Sequence, residues 1–167
     1  VNADLPARMG GGIWEVLSAA VGQVIDAEIS QPLEGELSEP FVAREISQLL
    51  GRRSHLALGS SMPIRDFDMY AKGLMDAFPR PPPVSNRGTS GIDGVVSTAI
   101  GFSHGASAPV TLYIGDVSTL HDLNALQQMS GKEAPPVTLV ISNNGGGAIF
   151  ANLPIAKHRD IYSPCFD

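Results

Sequence analysis

The chain has 167 residues, 43% of them hydrophobic and 17% charged, so it is long enough and apolar enough to fold around a core of its own. Its 11 basic and 17 acidic residues leave a formal net charge of −6, which argues against binding along a nucleic-acid backbone. The single cysteine, Cys165, excludes an intrachain disulfide and favours a reducing compartment, and no apolar run is long enough to span a bilayer.

The N-terminal part of the sequence predicts a helix followed by a linker. Apolar residues recur at helical spacing from Ile13 to Ile25, which indicates an amphipathic helix that packs on something else. Residues 31–39 are acidic and contain proline and glycine, as is typical of a linker. The chain starts without methionine and carries no obvious closing helix over residues 162–167, so we expect a fragment. The predicted division is a helix and linker over residues 1–37 and one domain over residues 38–167, incomplete at its C-terminus.

Residues 38–85 predict two helices and two short strands. The first helix begins near Ser38 with Pro40 in its first turn. Its predicted apolar face consists of Val42, Ile46, Leu49 and Leu50. A strand over residues 55–58 then turns into a second helix, whose predicted apolar positions are Ile64, Phe67, Tyr70, Ala71, Leu74 and Met75. Residues 84–85 predict a minimal strand.

The remaining residues continue this alternation. We predict a helix from about Ile92 to Gly105, a strand over residues 110–114, a helix over residues 120–129 and a strand over residues 137–142. The last strand is apolar without alternation, which is typical of a strand covered on both faces. The succession predicts an α/β fold, a doubly wound and mostly parallel sheet with helices on both faces.

Polar side chains follow two of these strands. Asp116 follows the strand over residues 110–114, and Asn143 and Asn144 follow the last strand and precede three glycines. Because parallel strands joined by a crossover helix end at the same edge of a sheet, we expect these side chains to lie close together. Carboxylate and amide oxygens are ligands that a hard divalent cation with a bound phosphate prefers. A helix cap at Asp116 and a plain turn at the asparagines are the structural alternative.

Separated motifs in the chain resemble one enzyme family. The Gly115-Asp116 and Asn143-Asn144 pairs resemble the thiamine-diphosphate signature, although Val117 stands where that signature often has glycine. The motifs that narrow the resemblance are GSSMPIRD over 59–66, SNRGTSGIDG over 85–94, GDVS over 115–118 and GGAIF over 146–150. Together they resemble the 2-succinyl-5-enolpyruvyl-6-hydroxy-3-cyclohexene-1-carboxylate synthases, the MenD family, over residues 38–156.

The resemblance implies a transferase that uses thiamine diphosphate and Mg²⁺ or Mn²⁺. Enzymes of this family decarboxylate 2-oxoglutarate and add the resulting succinic semialdehyde carbanion equivalent to isochorismate, in menaquinone or phylloquinone biosynthesis. The implied metal ligands are Asp116, Asn144 and the carbonyl of Gly146. A shift by one residue would make Asn143 and Gly145 the ligands instead.

The same resemblance implies the other contacts of the site. The implied cofactor contacts are Ser90, Gly91, Ile92, Gly115, Asp116, Val117, Ser118, Asn144, Gly146 and Ile149, with Ile92 as the bulky residue beneath the cofactor. The implied substrate contacts are Ser61, Arg65, Arg87, Phe150 and Leu153, with the two arginines binding carboxylates. By residue type alone, a core isoleucine and solvated surface arginines are the favoured interpretations of Ile92, Arg65 and Arg87, and Ser61 could equally be a helix cap. Ordinary core packing is the alternative for Ile149, Phe150 and Leu153.

The resemblance places no catalytic residue in this chain. In the family, the activating glutamate comes from a pyrimidine-binding domain of a second subunit, and no segment here resembles that domain. We therefore expect a half-site that is inactive alone, from a homodimer or dimer of dimers, cytoplasmic in a bacterium or plastid in a plant or alga. The alternatives are another thiamine-diphosphate-dependent decarboxylase or synthase, or a non-catalytic Rossmann-like nucleotide-binding module.

Overall fold

The computed structural model describes residues 11–30, 37–51, 54–72, 81–88, 91–130 and 135–166. Within these ranges the strands form a parallel sheet in the order β1 (His55–Leu58), β2 (Val110–Gly115) and β3 (Val137–Ser142). Val84 forms one parallel bridge with Ala57, so β1 lies between Val84 and β2. The chain continues from β1 to Val84 on one side of β1, and from β2 to β3 on the opposite side of β2. The connections therefore change direction between β1 and β2, which makes this gap a topological switch point.

Helices cover both faces of the described sheet, which confirms the predicted doubly wound α/β class. Helices α2 (Glu39–Leu49) and α3 (Met62–Tyr70) follow α1 (Gly11–Ile29) in the chain and pack with Tyr113 on one face. Helix α4 (Val95–Ala106) packs with Leu112 and Ile114 on the other face. Because successive side chains of a strand point to opposite faces, β2 contributes to both cores and its central residues are fully buried.

The predicted N-terminal helix is confirmed as α1, and ion pairs connect it to the domain. Its Asp26 pairs with Arg44 of α2 and with Lys72. Most of the large apolar residues of α1 are exposed, namely Ile13, Trp14, Val16, Leu17, Val21 and Val24, whereas Ile25 and Ile29 are half-buried. None of the helices in the described ranges is both long enough and apolar enough to cross a membrane.

Several predicted helix bounds were wrong. The helix predicted over residues 120–129 begins at Asp116 directly after β2, as α5 (Asp116–His121), and a 3-10 helix follows over Leu123–Ser130. The helix predicted from Ile92 begins at Val95, because Gly94 has a φ of 66° and cannot continue a right-handed helix. The chain end forms α6 (Arg159–Phe166), although no closing helix was predicted.

The burial of two elements also differs from the prediction. Thr138 of β3 is exposed and Ile141 is 46% exposed, because β3 pairs with β2 on one side only and is an edge strand of the described sheet. Leu49 of α2 is 78% exposed, while Arg44 and Ser47 are buried on the face that meets α3.

The linker predicted over residues 31–39 is shorter at its C-terminal end. Helix α2 starts where it was predicted to start: Ser38 caps it by accepting a hydrogen bond from the Phe41 amide, and Glu39 is the first helical residue. Helix α3 ends at Tyr70, and Leu74 and Met75 lie outside the described residues, as do residues 31–36. The division of the chain at residue 38 stays a prediction.

Candidate functional site

A cleft of about 570 Å³ opens where β1 and β2 end, at the switch point of the sheet. Ligands of open α/β sheets bind at this position. Every residue implied for the metal, the cofactor or the substrates lines this cleft, except Ser90, which lies outside the described residues, and the alternative metal ligands Asn143 and Gly145, which do not line it. The cleft also includes residues that the sequence did not predict, namely Glu39, Ser60, Met62, Pro63 and Gly147.

The loop after β1 forms one wall of the cleft. The Gly59 amide donates a hydrogen bond to the Tyr113 carbonyl at 2.8 Å, and a Cβ at Gly59 would lie 3.2 Å from the Cα of Ile114. Only glycine allows so close an approach between the two strand ends. Ser61 follows in a strained conformation, with a φ of 72°. Its side chain makes no cap hydrogen bond, but its carbonyl accepts one from Arg65 Nη1 at 2.6 Å, which holds the two predicted substrate residues together.

The loop after β2 carries Asp116 into the cleft. Asp116 is the first residue of α5, and its Oδ1 accepts a hydrogen bond from the Val117 amide at 2.7 Å. The carboxylate is therefore oriented by the amide of the next residue, and Gly115, not Asp116, occupies the N-cap position of α5. Ser118 donates its hydroxyl hydrogen to the Ile92 carbonyl at 2.7 Å. This bond fixes the segment that presents Ile92 to the cleft.

Side-chain hydrogen bonds hold Asn86 against α4 and cap the start of α4 itself. Asn86 Nδ2 donates to Thr98 Oγ1 at 3.0 Å, and Asp122 accepts hydrogen bonds from the amide and the hydroxyl of Ser97 at 2.7 and 3.0 Å. Asp122 thereby caps α4 from a position 25 residues away, which no local sequence pattern indicates. Arg87 itself is exposed at the rim.

The glycine-rich loop after β3 presents Asn144. Asn143 Oδ1 accepts a hydrogen bond from the Gly145 amide at 3.2 Å, which makes Asn143 the residue of a local Asx turn. Gly145 and Gly146 have φ values of 86° and 135°, a region that strongly favours glycine. Asn144 and Gly146 then line the cleft.

Glu39 contacts the Asn144 side chain from across the fold. Its Oε1 accepts hydrogen bonds from Asn144 Nδ2 at 3.0 Å and from Ser142 Oγ. The hydroxyl of the buried Tyr113 donates to the Glu39 carbonyl at 3.4 Å. The sequence does not reveal this role of Glu39, because an acidic residue in a first helical turn is ordinarily a favourable charge at that terminus.

A second carboxyl group, Asp66 of α3, is buried near Glu39. Only 1% of Asp66 is exposed, and burial, followed by the negative charge of Glu39, raises the pKa of Asp66 from 3.8 to about 6, while Arg65 opposes the shift. Burial and the same two carboxyl groups also raise the pKa of Tyr113 above its ordinary value. The Tyr113 hydroxyl therefore stays protonated and available as a donor.

An apolar wall closes the cleft and is held by α6. Ile149, Phe150 and Leu153 lie at the cleft, and the Phe150 ring packs on Phe166 with the ring centroids 4.5 Å apart. The Gly147 amide donates to the Phe166 carbonyl at 2.7 Å, and a Cβ at Gly147 would lie 3.0 Å from Phe150 Cδ2. The chain end, which the sequence left without structure, thus positions this wall.

The donor atoms of the cleft fit a hard divalent cation. Asp116 offers a carboxylate, Asn144 a side-chain oxygen and Gly146 a main-chain carbonyl, all of them oxygen donors. No group of three or more His, Cys, Asp or Glu side chains in the described ranges could hold a metal ion. A cation here would therefore depend on amide and main-chain oxygens and on oxygens of its own ligand.

Several curated proteins with similar sequences carry the same name, whereas no protein-family model matches the chain. The chain is 48% identical over 125 residues to the 2-succinyl-5-enolpyruvyl-6-hydroxy-3-cyclohexene-1-carboxylate synthase of Chlorobium limicola. It is also 48% identical over 128 residues to the enzyme of that name from Rubrobacter xylanophilus, and over 124 residues to that of Chlorobaculum parvum. The aligned residues cover 74–75% of this chain, which spans about a fifth of the length of each relative.

Proposed function

Because this chain belongs to the family of the 2-succinyl-5-enolpyruvyl-6-hydroxy-3-cyclohexene-1-carboxylate synthases, we propose that its cleft binds the diphosphate end of thiamine diphosphate together with a divalent cation. The observation that carries this proposal is the placement of Asp116, Asn144 and Gly146 around one cleft at the switch point. The full-length protein would join a decarboxylated 2-oxoglutarate to isochorismate, a step towards menaquinone or phylloquinone.

The cation, Mg²⁺ or Mn²⁺, would be held by oxygens of Asp116, Asn144 and Gly146. The turn at Asn143 supports this register over the alternative with Asn143 and Gly145, because the Asn143 oxygen already accepts the Gly145 amide. Glycines at positions 145 and 146 also let the main chain adopt positive φ values beside the cation.

The other residues of the cleft would orient the reactants. When bound, thiamine diphosphate supplies the electron sink for decarboxylation and carbon–carbon bond formation. Ile92 would support the cofactor from below, in the position that the Ser118 hydrogen bond maintains. Arg65 and Arg87 would bind substrate carboxylates, and the wall of Ile149, Phe150 and Leu153 would exclude water.

The proposed site is one half of an active site. The glutamate that activates the cofactor would come from a pyrimidine-binding domain of a second subunit, as in the family. We assign that role neither to Glu39 nor to Asp66, because Glu39 is engaged with Asn144 and Asp66 is buried on α3. The chain alone would then bind reactants without turning them over.

Calorimetry on the full-length protein tests the metal assignment. We expect thiamine diphosphate to bind only with Mg²⁺ present, and Asp116→Ala to abolish that binding. The matched control is Asp68→Ala, which removes an exposed carboxylate of α3 and changes the net charge equally. Full affinity in Asp116→Ala would refute the assignment. Steady-state assays with 2-oxoglutarate against pyruvate would separate this function from that of another thiamine-diphosphate-dependent decarboxylase.

A further inference from the structure

Glu39 lies at the cleft and contacts the side chain proposed to hold the cation. Its Oε1 accepts hydrogen bonds from Asn144 Nδ2 at 3.0 Å and from Ser142 Oγ. We propose that Glu39 is a positioning residue that fixes the Asn144 amide with its oxygen turned towards the cation. This inference rests on the proposed function, since it concerns the same cation site.

The chemistry of the two side chains supports this role. An asparagine amide has a donor end and an acceptor end, and only its oxygen can bind a cation. An ionised carboxylate accepts hydrogen bonds and donates none, so it pairs with the NH₂ end of Asn144. The Oδ1 of Asn144 is thereby selected for the cation before the cation binds. A rotation of this amide by half a turn would present NH₂ groups to the metal instead.

The main chain of Glu39 is held in place from two directions. Ser38 caps α2 by accepting a hydrogen bond from the Phe41 amide at 3.3 Å, which fixes the first turn of the helix. Tyr113, at the centre of the sheet, donates its hydroxyl to the Glu39 carbonyl. The carboxylate then meets the end of β3 at Ser142, which orients it towards Asn144. Glu39 and Asn144 are 105 positions apart, so only the fold brings them together.

The test is a titration of the full-length protein with Mg²⁺ in the presence of thiamine diphosphate, in which calorimetry measures binding. Glu39→Ala removes the acceptor, and we expect the half-saturating Mg²⁺ concentration to rise about tenfold, the effect of losing one charge-assisted hydrogen bond. Glu39→Gln keeps an oxygen acceptor for Asn144, and we expect a rise of no more than about threefold. The control Asp68→Ala, with the same change in net charge, is expected to match the wild type.

A second background separates positioning from a general structural role. Asn144→Asp presents an oxygen in either orientation, so Glu39→Ala is expected not to weaken cation binding further in that background. Tenfold weakening in both backgrounds would overturn the proposal, because the effect would then not depend on the amide.

The remaining outcomes are equally decisive. Wild-type magnesium dependence in Glu39→Ala would overturn the inference while leaving the proposed function intact. An equal loss in the Ala and Gln variants would make Glu39 a direct ligand and not a positioning residue. If Glu39→Ala does not fold, Glu39→Gln decides alone, and a rise above about fivefold would overturn the positioning role. Wild-type protein that binds thiamine diphosphate without a cation would refute the proposed function itself.

Discussion

The two arginines of the cleft differ in how they are held. Arg65 donates to the Ser61 carbonyl at 2.6 Å, so its guanidinium is anchored to the loop after β1. Arg87 is exposed in the segment that Asn86 connects to α4. At the residue scale, Arg87 is therefore the better subject for substitution, since its removal disturbs less of the surrounding main chain.

Arg87→Ala is expected to weaken a substrate and not the cofactor. Loss of a charge-assisted hydrogen bond to a carboxylate costs about 1.5–3 kcal/mol, so the KM for that substrate should rise about tenfold or more. Affinity for thiamine diphosphate, measured by calorimetry, should change by less than about twofold. A comparable loss of both affinities would instead mean that Arg87 supports the structure of the loop.

Gly59→Ala is expected to destabilise the fold by about 1–3 kcal/mol, because the new methyl group would overlap the backbone of Ile114. Gly101→Ala is the matched control, since nothing lies within 4 Å of the added Cβ and the position is inside α4. That variant should gain about 0.5–1 kcal/mol from its higher helix propensity. Urea denaturation of both variants measures the difference, and equal stabilities would contradict the close approach at Gly59.

At the scale of elements, distant side chains hold the loops that form the cleft. Asp122, after α5, caps α4, and Phe166 of α6 packs on the wall at Phe150. Gly91 and Ile92, which precede α4, therefore depend on a residue that follows α4 in the chain. A substitution at such a supporting residue is expected to alter the cleft by shifting its backbone, and not by removing a group that binds the cation or the cofactor.

Asp122→Ala is expected to lower stability by about 1–2 kcal/mol, because the amide of Ser97 loses its capping acceptor. Thiamine diphosphate affinity should fall as well, since Ile92 and Gly91 precede the uncapped helix. Thermal unfolding and calorimetry measure the two effects. Asp160→Ala, an exposed carboxylate in the first turn of α6, serves as the control. An unchanged affinity would show that the segment keeps its position without the cap.

At the scale of the whole molecule, the buried Asp66 makes stability depend on pH. Its pKa is about 6 in the folded protein and near 3.8 in the unfolded chain, so the folded state binds the proton more tightly between these values. The contribution of Asp66 to the free energy of unfolding is therefore greatest below about pH 4. It falls by roughly 2–3 kcal/mol as the pH rises through 6. The unprotonated carboxylate remains a cost at neutral pH.

Asp66→Asn is expected to remove that contribution. Relative to the wild type, the variant should gain up to roughly 2–3 kcal/mol at pH 7.5 but only about 1 kcal/mol at pH 4.5, where the Asp66 carboxyl of the folded protein is still mostly protonated. Urea denaturation at both pH values measures this change. Asp68→Asn, exposed on the same helix, should show no such difference. Equal gains at the two pH values would mean that packing, and not ionisation, accounts for the effect.

Much of the fold could be predicted from the sequence. The predicted strands over 55–58, 110–114 and 137–142, the helix start near Ser38 and the class of the sheet follow from short runs of apolar residues and from Pro and Gly at turns. The starts of α4 and α5 could not be predicted in this way. The positive φ of Gly94 sets the start of α4, and α5 begins at Asp116 without a loop after β2. The edge position of β3 depends on which strands pair, which an apolar run does not reveal.

The sequence by itself determined which residues carry the oxygen donors and where they stand relative to the strand ends. Asp116, Asn144 and Gly146 lie one, two and four residues after the end of a recognisable strand, and local pattern suffices for that. Only the tertiary structure decided what holds and orients them, through Glu39 on Asn144 and Asp122 on α4. The physical reason is separation along the chain: these contacts join residues 105 and 25 positions apart, and a side chain's own neighbours do not specify so distant a partner.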